Sequence, residues 1–272
     1  MKYKDIEILI IPDIHGRDYW FNPVNDVLTN TDAHICFLGD YLDPYLYEWE
    51  VKVSAKRISI DRLRKIINLK KQYPDRITLL IGNHDCCYCI GQDICSSRMD
   101  TVNLKEIVNL FEENWDLFQL AHQCDIAGRH FVFSHAGILK GWANQVWKDR
   151  VEGAPFDVVN ELNKSWTGKD FTILNFLGDY DLYRGFGGYK YGSPVWSDIR
   201  SWINITPEET FGFNIVGHTQ CEKNPVIFDT IADLDCRRTF YLDSNGDIRD
   251  FLSGEKMEKS NLKSIDDCSE IN

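Results

Sequence analysis

Five short apolar segments, each followed at once by a histidine, aspartate or asparagine, constrain the fold of this chain more than any other feature. A continuous apolar run is typical of a strand that is buried on both faces of a sheet. The carboxyl ends of such strands form the edge at which open α/β sheets place their binding sites. The pattern therefore predicts an α/β fold in which these polar side chains meet at one edge. The five segments are IEILIIPDIHG (6–16), AHICFLGDYLD (33–43), RITLLIGNHD (76–85), RHFVFSHAG (129–137) and FNIVGHTQ (213–220).

The sequence between and after these segments predicts two helices and a hairpin. Amphipathic spacing that stops before Pro74 predicts a helix over about residues 53–72, and a second helix is predicted over about 104–119. Alternating residues at 238–242 and the turn Ser244-Asn245-Gly246 predict an antiparallel hairpin.

Residues 138–210 differ in composition from the rest of the chain. They are rich in aromatic residues and contain a glycine cluster at Gly185, Gly187 and Gly188. We interpret this segment as a cap or lid over the site, inserted in one domain that spans residues 1–252. Residues 253–272 are polar, and we expect them to form a frayed C-terminal tail.

Charge and composition argue against several classes of protein. The 272 residues carry a formal net charge of −12, which would repel polyanions, so nucleic acid is a poor candidate for a partner. The apolar run at 6–12 is too short for a signal peptide, and no stretch approaches the roughly 20 apolar residues of a membrane span. We therefore expect a cytoplasmic protein without a membrane partner. The nine cysteines, including the group Cys86, Cys87, Cys89 and Cys95, are interpreted as reduced thiols.

The polar residues at the strand ends form a set with metal-binding chemistry. Carboxylates and imidazoles gathered at one edge would attract metal ions strongly. One aspartate shared by two ions would hold them roughly 3.5–4 Å apart, the arrangement used for in-line displacement at phosphorus. An asparagine in the set is informative, because it supplies a neutral oxygen. In chain order the set is Asp13, His15, Asp40, Asp43, Asn83, His84, Asp85, His135 and His218.

Taken together, these residues resemble the calcineurin-like metallophosphoesterase superfamily. The chain is most similar to the branch of the phosphoprotein phosphatases and the bacterial diadenosine tetraphosphatases, and the resemblance covers about residues 6–250. It implies an α/β fold with a central β-sandwich of mixed sheets, flanked by helices in four layers. The matching motifs are Asp13-Ile14-His15, Gly39-Asp40-Tyr41-Leu42-Asp43, Gly82-Asn83-His84-Asp85, Ser134-His135-Ala136-Gly137 and Gly217-His218-Thr219.

The resemblance also implies a role for each matching residue. Asp13, His15 and Asp40 would hold the first metal ion, and Asp40 would bridge to a second ion completed by Asn83, His135 and His218. Hydrolysis would proceed by attack of a hydroxide that bridges the two ions. His84 would act as general acid at the leaving oxygen, with Asp43 orienting its imidazole.

The pentapeptide Phe-Leu-Gly-Asp-Tyr occurs twice, so a second aspartate competes with Asp40 for the bridging role. Asp179, in the second copy, comes after His135 and is out of order for this ligand. It is followed by Asp181 rather than by an aspartate three residues on. We therefore assign the bridge to Asp40 and interpret the second copy as coincidence or cap structure.

The substrate clamp departs from the pattern of the protein phosphatases in this branch. Those enzymes grip the phosphate with an arginine after the second motif and another before the third, and this chain has Pro44 and Ile81 there. Losing two bidentate guanidinium contacts makes phosphoprotein substrates less certain. Arg184 or Arg200, in the aromatic segment, is the candidate replacement.

The leading hypothesis is a metal-dependent phosphoesterase resembling the serine/threonine protein phosphatases, acting on a phosphorylated substrate. The alternative is a hydrolase of dinucleoside polyphosphates, because the nearby aromatic residues could stack on a nucleobase. A nuclease and a non-catalytic scaffold are two further alternatives. Nitrogen and oxygen ligands without thiolate suit manganese, iron, zinc or nickel, and manganese is our first expectation.

Overall fold

A computed structural model gives the fold of the chain. It describes residues 5–90, 98–148, 150–153, 155–170, 173, 176–179, 181–184, 189–221 and 223–261. The glycine cluster at Gly185, Gly187 and Gly188, residue Cys95 and the tail segment 262–272 lie outside the described residues.

Strands in the described residues form two mixed sheets. The first sheet has the order β11–β10–β1–β2–β3–β4, and the second has the order β5–β6–β7–β9–β8. Their bounds are β1 (Ile6–Ile11), β2 (His34–Phe37), β3 (Ile77–Leu80), β4 (Phe118–Gln119), β5 (Ala121–Ile126), β6 (Arg129–Ser134), β7 (Phe213–Val216), β8 (Val226–Ile227), β9 (Ile231–Asp233), β10 (Phe240–Asp243) and β11 (Ile248–Asp250).

The five apolar segments are all strands, as the sequence predicted. They form β1, β2 and β3, which pair in parallel in the first sheet, and β6 and β7, which pair in parallel in the second. Parallel strands place their carboxyl ends at the same edge. The polar residues that follow the strands of each sheet are therefore brought to one edge of that sheet.

The two sheets share a buried core. Ile8 and Ile10 of β1 belong to the same apolar cluster as Phe131 and Phe133 of β6 and Ile215 of β7. Because successive side chains of a strand point to opposite faces, the intervening residues of β1 face away from this core. This arrangement of two mixed sheets, flanked by helices, confirms the predicted α/β sandwich.

Helices cover the outer face of the first sheet. The described helices are α1 (Phe21–Asn30), α2 (Lys52–Gln72), α3 (Asn83–Ile90), α4 (Leu104–Glu112), α5 (Lys140–Trp147), α6 (Arg150–Gly153) and α7 (Val158–Thr167). Leu9 and Ile11 of β1 belong to the same apolar cluster as Val24 of α1 and Ile60 and Leu63 of α2. Helix α2 confirms the first helix that the sequence predicted.

The second predicted helix is shorter than expected. The prediction over 104–119 is wrong beyond Glu112, because the chain turns into a 3₁₀ helix at Trp115–Leu117 and then into β4. Phe118 of β4 pairs with Leu79 of β3, so these residues extend the first sheet instead of the helix. The ring of Trp115 stacks on that of Trp166 at 4.0 Å, which also fixes the turn.

The two ends of the aromatic segment pair with each other. Leu139 forms an antiparallel bridge with Thr210, close to the two limits of the segment. Helix α7 buries Leu162 and Trp166, and Trp115 Nε1 donates a hydrogen bond to the carbonyl of Trp166. Several of its tryptophans are therefore core residues, and the role of the segment as a cap stays a prediction.

The C-terminal part of the described chain closes the sandwich. Strands β10 and β11 form the predicted hairpin, with the turn at Asn245 and Gly246. The polar segment after it does not fray at once, contrary to the expectation. The backbone N–H of Met257 donates to Ile248, and that of Ser260 donates to Ile227, so backbone pairing holds this part of the tail.

The described helices are too short or too polar to cross a lipid bilayer. The cytoplasmic location expected from the sequence stays a prediction.

Candidate metal centre

The strand ends bring the predicted ligands into one buried cluster. Asp13 and His15 follow β1, Asp40 follows β2, Asn83 begins α3 directly after β3, His135 follows β6 and His218 follows β7. All of these side chains are buried or nearly so. A buried group of carboxylates and imidazoles needs partners, because an unpaired buried charge is costly.

The backbone is strained where these side chains turn inward. His15, Asp40, Asp43 and His218 have φ angles of 43°, 52°, 56° and 76°, in the left-handed region that L-residues rarely adopt. Each such residue costs of order 1–3 kcal/mol and persists only when the surrounding contacts impose it. Four of the eight non-glycine residues with positive φ in the described part of the chain are thus residues that the sequence analysis selected.

Two glycines allow the aspartates to approach the neighbouring backbone. A Cβ at Gly82 would overlap Oδ1 of Asp40, and a Cβ at Gly217 would overlap Oδ1 of Asp13. Close approach of this kind is a reason for glycine at a position. The glycines of the Gly82-Asn83 and Gly217-His218 motifs are therefore part of the site, since they make room for the carboxylates.

Asp40 is common to two groups of candidate metal donors. Atoms of Asp13, Asp40 and His135 lie within 4.8 Å of one another, and so do atoms of His15, Asp40 and His84. Asp40 Oδ2 lies 3.5 Å from His15 Nε2 and 3.6 Å from His135 Nε2. This convergence on one carboxylate is the arrangement expected of a residue shared by two ions.

Asn83 and His218 complete one side of the cluster. Asn83 Oδ1 lies 2.9 Å from His135 Nε2 and 3.0 Å from His218 Nδ1. The other ring nitrogen of His218, Nε2, is buried without a hydrogen-bond partner. A buried imidazole nitrogen left without a partner is suited to a cation.

Backbone carbonyls orient two of the imidazoles. His15 Nδ1 donates to Leu42 O and His135 Nδ1 donates to Leu38 O, both at 2.9 Å, since a carbonyl oxygen can only accept. In the neutral ring, the proton on Nδ1 leaves the lone pair on Nε2. Both Nε2 atoms face Asp40. Such a bond at the far nitrogen is typical of histidine metal ligands.

Asp85 supports the backbone around Asp40, a role the sequence analysis did not assign. Its carboxylate accepts the backbone N–H of Asp40 at 2.7 Å, of Gly82 at 3.0 Å and of Tyr41 at 3.1 Å. Three donors from two strand ends thus converge on one buried carboxylate. The strained conformation of Asp40 is held in place by these bonds.

The buried carboxylates and imidazoles of the cluster have shifted pKa values that favour the binding of cations. The pKa of Asp40 is raised to about 7, because burial, the largest effect, and the carboxylate of Asp13 raise it more than His84 lowers it. Burial also lowers the pKa of His15 and His218, which favours neutral rings. Divalent cations would satisfy the carboxylates and use the neutral nitrogens. The residues present therefore fit a pair of divalent metal ions.

His84 and Asp43 form the predicted pair at the edge of the cluster. His84 Nδ1 lies 2.8 Å from Asp43 Oδ2. Tyr88, which the sequence analysis missed, donates its hydroxyl to Asp43 Oδ1 at 2.5 Å and accepts the backbone N–H of Asp100 at 2.7 Å. Both carboxylate oxygens of Asp43 are thus engaged, which holds the imidazole of His84 in one orientation.

The two predicted substrate arginines lie in different surroundings. Arg184 Nη2 donates to Thr219 Oγ1 at 2.7 Å, next to His218, and its Nε lies 2.9 Å from Asp198 Oδ2. Arg200 donates Nε and Nη2 to the two carboxylate oxygens of Asp198. Arg184 adjoins the cluster, whereas the fork of Arg200 is taken up by Asp198.

Asp179 and Arg98 differ from what the sequence analysis led us to consider in opposite ways. Asp179, from the second pentapeptide, is not among the candidate metal donors of the described residues. Its backbone carbonyl accepts the N–H of Ser193, and burial raises its pKa to about 6. Arg98, which no sequence signal singled out, lies beside His84, with Nη2 at 3.0 Å from His84 Nε2.

Metal removal is expected to lower thermal stability. At a manganese concentration 100 times its Kd, binding to one site of the folded state stabilises it by about 2.7 kcal/mol. For a chain of this size that raises the unfolding temperature by roughly 5–10 °C. Scanning calorimetry of the protein with EDTA and with manganese measures the shift. Equal unfolding temperatures in the two conditions would contradict the metal centre.

Comparison with known proteins gives the family of the chain. Among solved structures, the chain is similar to a protein serine/threonine phosphatase from Saccharomyces cerevisiae with similarity to human phosphatase PP5. The identity is 14%, over 94% of this chain and 81% of that one, with a TM-score of 0.49. The family model of the calcineurin-like phosphoesterases matches residues 6–222, a range that contains every predicted metal ligand. The chain belongs to the calcineurin-like phosphoesterase family.

Proposed function

We propose that this chain hydrolyses phosphate monoesters, with phosphoserine or phosphothreonine in proteins as the substrate class. Membership of the family makes it a metal-dependent phosphoester hydrolase whose relatives depend on two metal ions. The observation that carries the proposal is the carboxylate of Asp40, which is shared by two donor groups, one of which contains His84, held by Asp43.

The proposed metal ligands are those of the sequence analysis. Asp13, His15 and Asp40 would hold one ion, and Asp40, Asn83, His135 and His218 the other. Manganese is the proposed metal, because oxygen and nitrogen donors without thiolate suit it. When bound, the ions would lower the pKa of water and neutralise phosphate oxygens.

His84 would supply the proton for the leaving oxygen. Its Nδ1 faces Asp43, so Nε2 is the nitrogen that points toward the cluster, 4.0 Å from Asp40 Oδ2. Asp43 is held by Tyr88 on its other oxygen and thus keeps the ring aimed. Proton donation by a positioned side chain of this kind contributes typically 10²–10⁴-fold to a rate.

Arg184 is the proposed substrate contact from the aromatic segment. It lies next to His218, close enough that its positive charge, after burial, is the second influence lowering the pKa of that ring. Arg200 has a weaker claim, because both of its donating nitrogens bind Asp198. We assign Arg200 the role of fixing Asp198, which in turn contacts Arg184.

A dinucleoside polyphosphate is the second candidate substrate, and aromatic rings near the site favour it. The ring of Tyr45 lies 5.1 Å from that of His15, and Tyr47, largely exposed, lies 5.6 Å from Tyr45. Trp196 contacts His218 edge to face at 5.7 Å. The exposed ring of Tyr47 could stack on a nucleobase.

A substrate panel tests the proposal and separates the two candidates. We expect manganese-dependent hydrolysis of p-nitrophenyl phosphate and a phosphothreonine peptide, with kcat/KM for the peptide above that for diadenosine tetraphosphate. A higher kcat/KM for diadenosine tetraphosphate would establish the second candidate. Hydrolysis of none of the three by the manganese-loaded protein would overturn both, and cleavage of DNA or RNA would indicate a nuclease.

A further inference from the structure

Arg98 is positioned at the predicted general acid. Its Nη2 lies 3.0 Å from His84 Nε2, the nitrogen that points away from Asp43. Arginine has only donors, so the contact is a guanidinium N–H directed at the ring nitrogen. A cation therefore stands at the place where the leaving oxygen and its phosphate would meet His84.

The guanidinium of Arg98 stacks on the ring of Tyr45. The Cζ atom of Arg98 lies 3.5 Å from the centroid of the Tyr45 ring, which is a close cation–π contact. A stacked guanidinium keeps its N–H donors in its own plane, where they can bind planar or tetrahedral oxyanions. Tyr45 itself lies edge to face on His15. The ring thus fixes Arg98 relative to the metal centre.

The position of Tyr45 in the chain explains why an arginine from another segment is needed. Tyr45 comes directly after Pro44, which stands where the protein phosphatases of the related branch have an arginine. Proline has neither a side-chain donor nor a backbone N–H that could bind a phosphate oxygen. The segment that follows Asp43 therefore provides the ring of Tyr45, on which a guanidinium can stack, instead of a cation. Arg98 provides the cation from a different loop.

The charge of Arg98 acts on the metal centre. Burial has the largest effect on both groups: it lowers the pKa of His15 and raises that of Asp40. The positive charge of Arg98 lowers both pKa values. Arg17 lies over the same Tyr45 ring at 5.1 Å, but Glu48 takes up two of its nitrogens. Arg98, whose Nη2 lies 3.0 Å from His84 Nε2, is the better placed of the two cations for a substrate anion at His84.

We propose that Arg98, held on the ring of Tyr45, binds an unesterified oxygen of the substrate phosphate beside His84. The inference rests on the proposed function and deepens it by naming the residue that recognises the phosphate. The substrate would replace the direct contact between Arg98 and His84. Arg98 Nη2 would donate to the unesterified oxygen, and the leaving oxygen would lie at His84 Nε2. Arg184, next to His218, would be the second guanidinium at the phosphate.

Binding of inorganic phosphate tests this role without turnover. In the manganese-loaded protein, Arg98→Gln is expected to weaken phosphate binding by roughly 10- to 100-fold, the value of a hydrogen bond to a charged group. Arg98→Lys should recover part of the affinity, because it keeps the charge but not the planar fork. Arg57→Gln, at an exposed arginine of α2, is the matched control and should bind phosphate as the wild type does. Titration calorimetry gives the Kd, and metal analysis checks that each variant keeps its ions.

Kinetics separate a contact with the phosphate from an effect through His84. If Arg98 binds the phosphate, Arg98→Gln should lower kcat/KM by a similar factor for p-nitrophenyl phosphate and for phenyl phosphate. A loss confined to phenyl phosphate, whose leaving group needs the proton more, would mean that Arg98 acts only through His84. Unchanged phosphate affinity in Arg98→Gln would also overturn the proposal.

The possible failures are distinguishable. Should the wild type hydrolyse no ester while Arg98→Gln still weakens phosphate binding, the proposed function fails and the Arg98 contact stands. Should the wild type hydrolyse esters while Arg98→Gln binds phosphate normally, only the Arg98 contact fails. If Arg98→Gln does not fold, Tyr45→Leu provides the test, since removing the ring should weaken phosphate binding in the same direction.

Discussion

Asp40→Asn is expected to abolish hydrolysis, lowering kcat/KM by roughly 10³-fold or more, because the bound ions supply several kcal/mol of the transition-state stabilisation. Asp40 belongs to both donor groups, so its replacement removes an anionic donor from each. Asparagine has nearly the same shape, so the backbone N–H at this position can still donate to the carboxylate of Asp85. The loss should therefore reflect charge at the metal centre rather than misfolding.

The second pentapeptide offers a matched control for this substitution. Asp179 stands in the same Phe-Leu-Gly-Asp-Tyr context, is also buried, and is absent from the donor groups. Asp179→Asn should keep both the metal content and the kcat/KM of the wild type. Activity measured with p-nitrophenyl phosphate, together with metal content by mass spectrometry, decides between the two aspartates. Loss of both properties in Asp179→Asn but not in Asp40→Asn would show that the wrong copy was chosen.

His84→Asn is expected to lower kcat by roughly 10²–10⁴-fold for a substrate with a poor leaving group, the range of general acid catalysis. The loss should be much smaller for 2,4-dinitrophenyl phosphate, because that leaving group departs without a proton. Metal content should change little, since His84 is proposed to donate a proton rather than to hold an ion. A plot of log kcat against leaving-group pKa, for wild type and variant, measures the effect.

His130 provides the control for the histidine substitution. Its Nδ1 lies 2.9 Å from Asp125, so it reproduces the histidine–aspartate pair of His84 and Asp43 on the protein surface. His130→Asn should leave the leaving-group dependence unchanged. If His84→Asn gave the same loss for every leaving group, His84 would be acting on binding or on the metal centre, and the general acid assignment would be wrong.

Much of the fold and of the candidate site could be predicted because the relevant signals are local. Each apolar run predicts its own strand, and the residue after the run lies at the strand end whatever the rest of the chain does. The grouping of Asp13, Asp40 and His135 follows from that rule, and their donor atoms meet within 4.8 Å. The predicted helix over 104–119 failed at its second half for the opposite reason. Pairing of Phe118 with Leu79, a residue far away in sequence, decided that segment.

The arginines show the same limit at the site. Arg184 and Arg200 were selected because they lie in the aromatic segment, and the sequence contained no sign that Asp198 would bind both. Arg98 had no motif around it. Its contact with His84 depends on the path of the chain between them and on the direction of both side chains, which spacing alone does not reveal.

The sequence by itself determined the five buried strands, the order of the strand-end residues and hence the candidate metal ligands, because these depend on short-range patterns of apolar and polar residues. Only the tertiary structure decided which other side chains support them. Tyr88 meets Asp43 across 45 residues of sequence, and Asp85 meets the backbone of Asp40 across the same separation. The physical reason is that hydrogen bonds and cation–π contacts require positions within a few ångströms. Such positions are set by the packing of the whole chain rather than by any one segment.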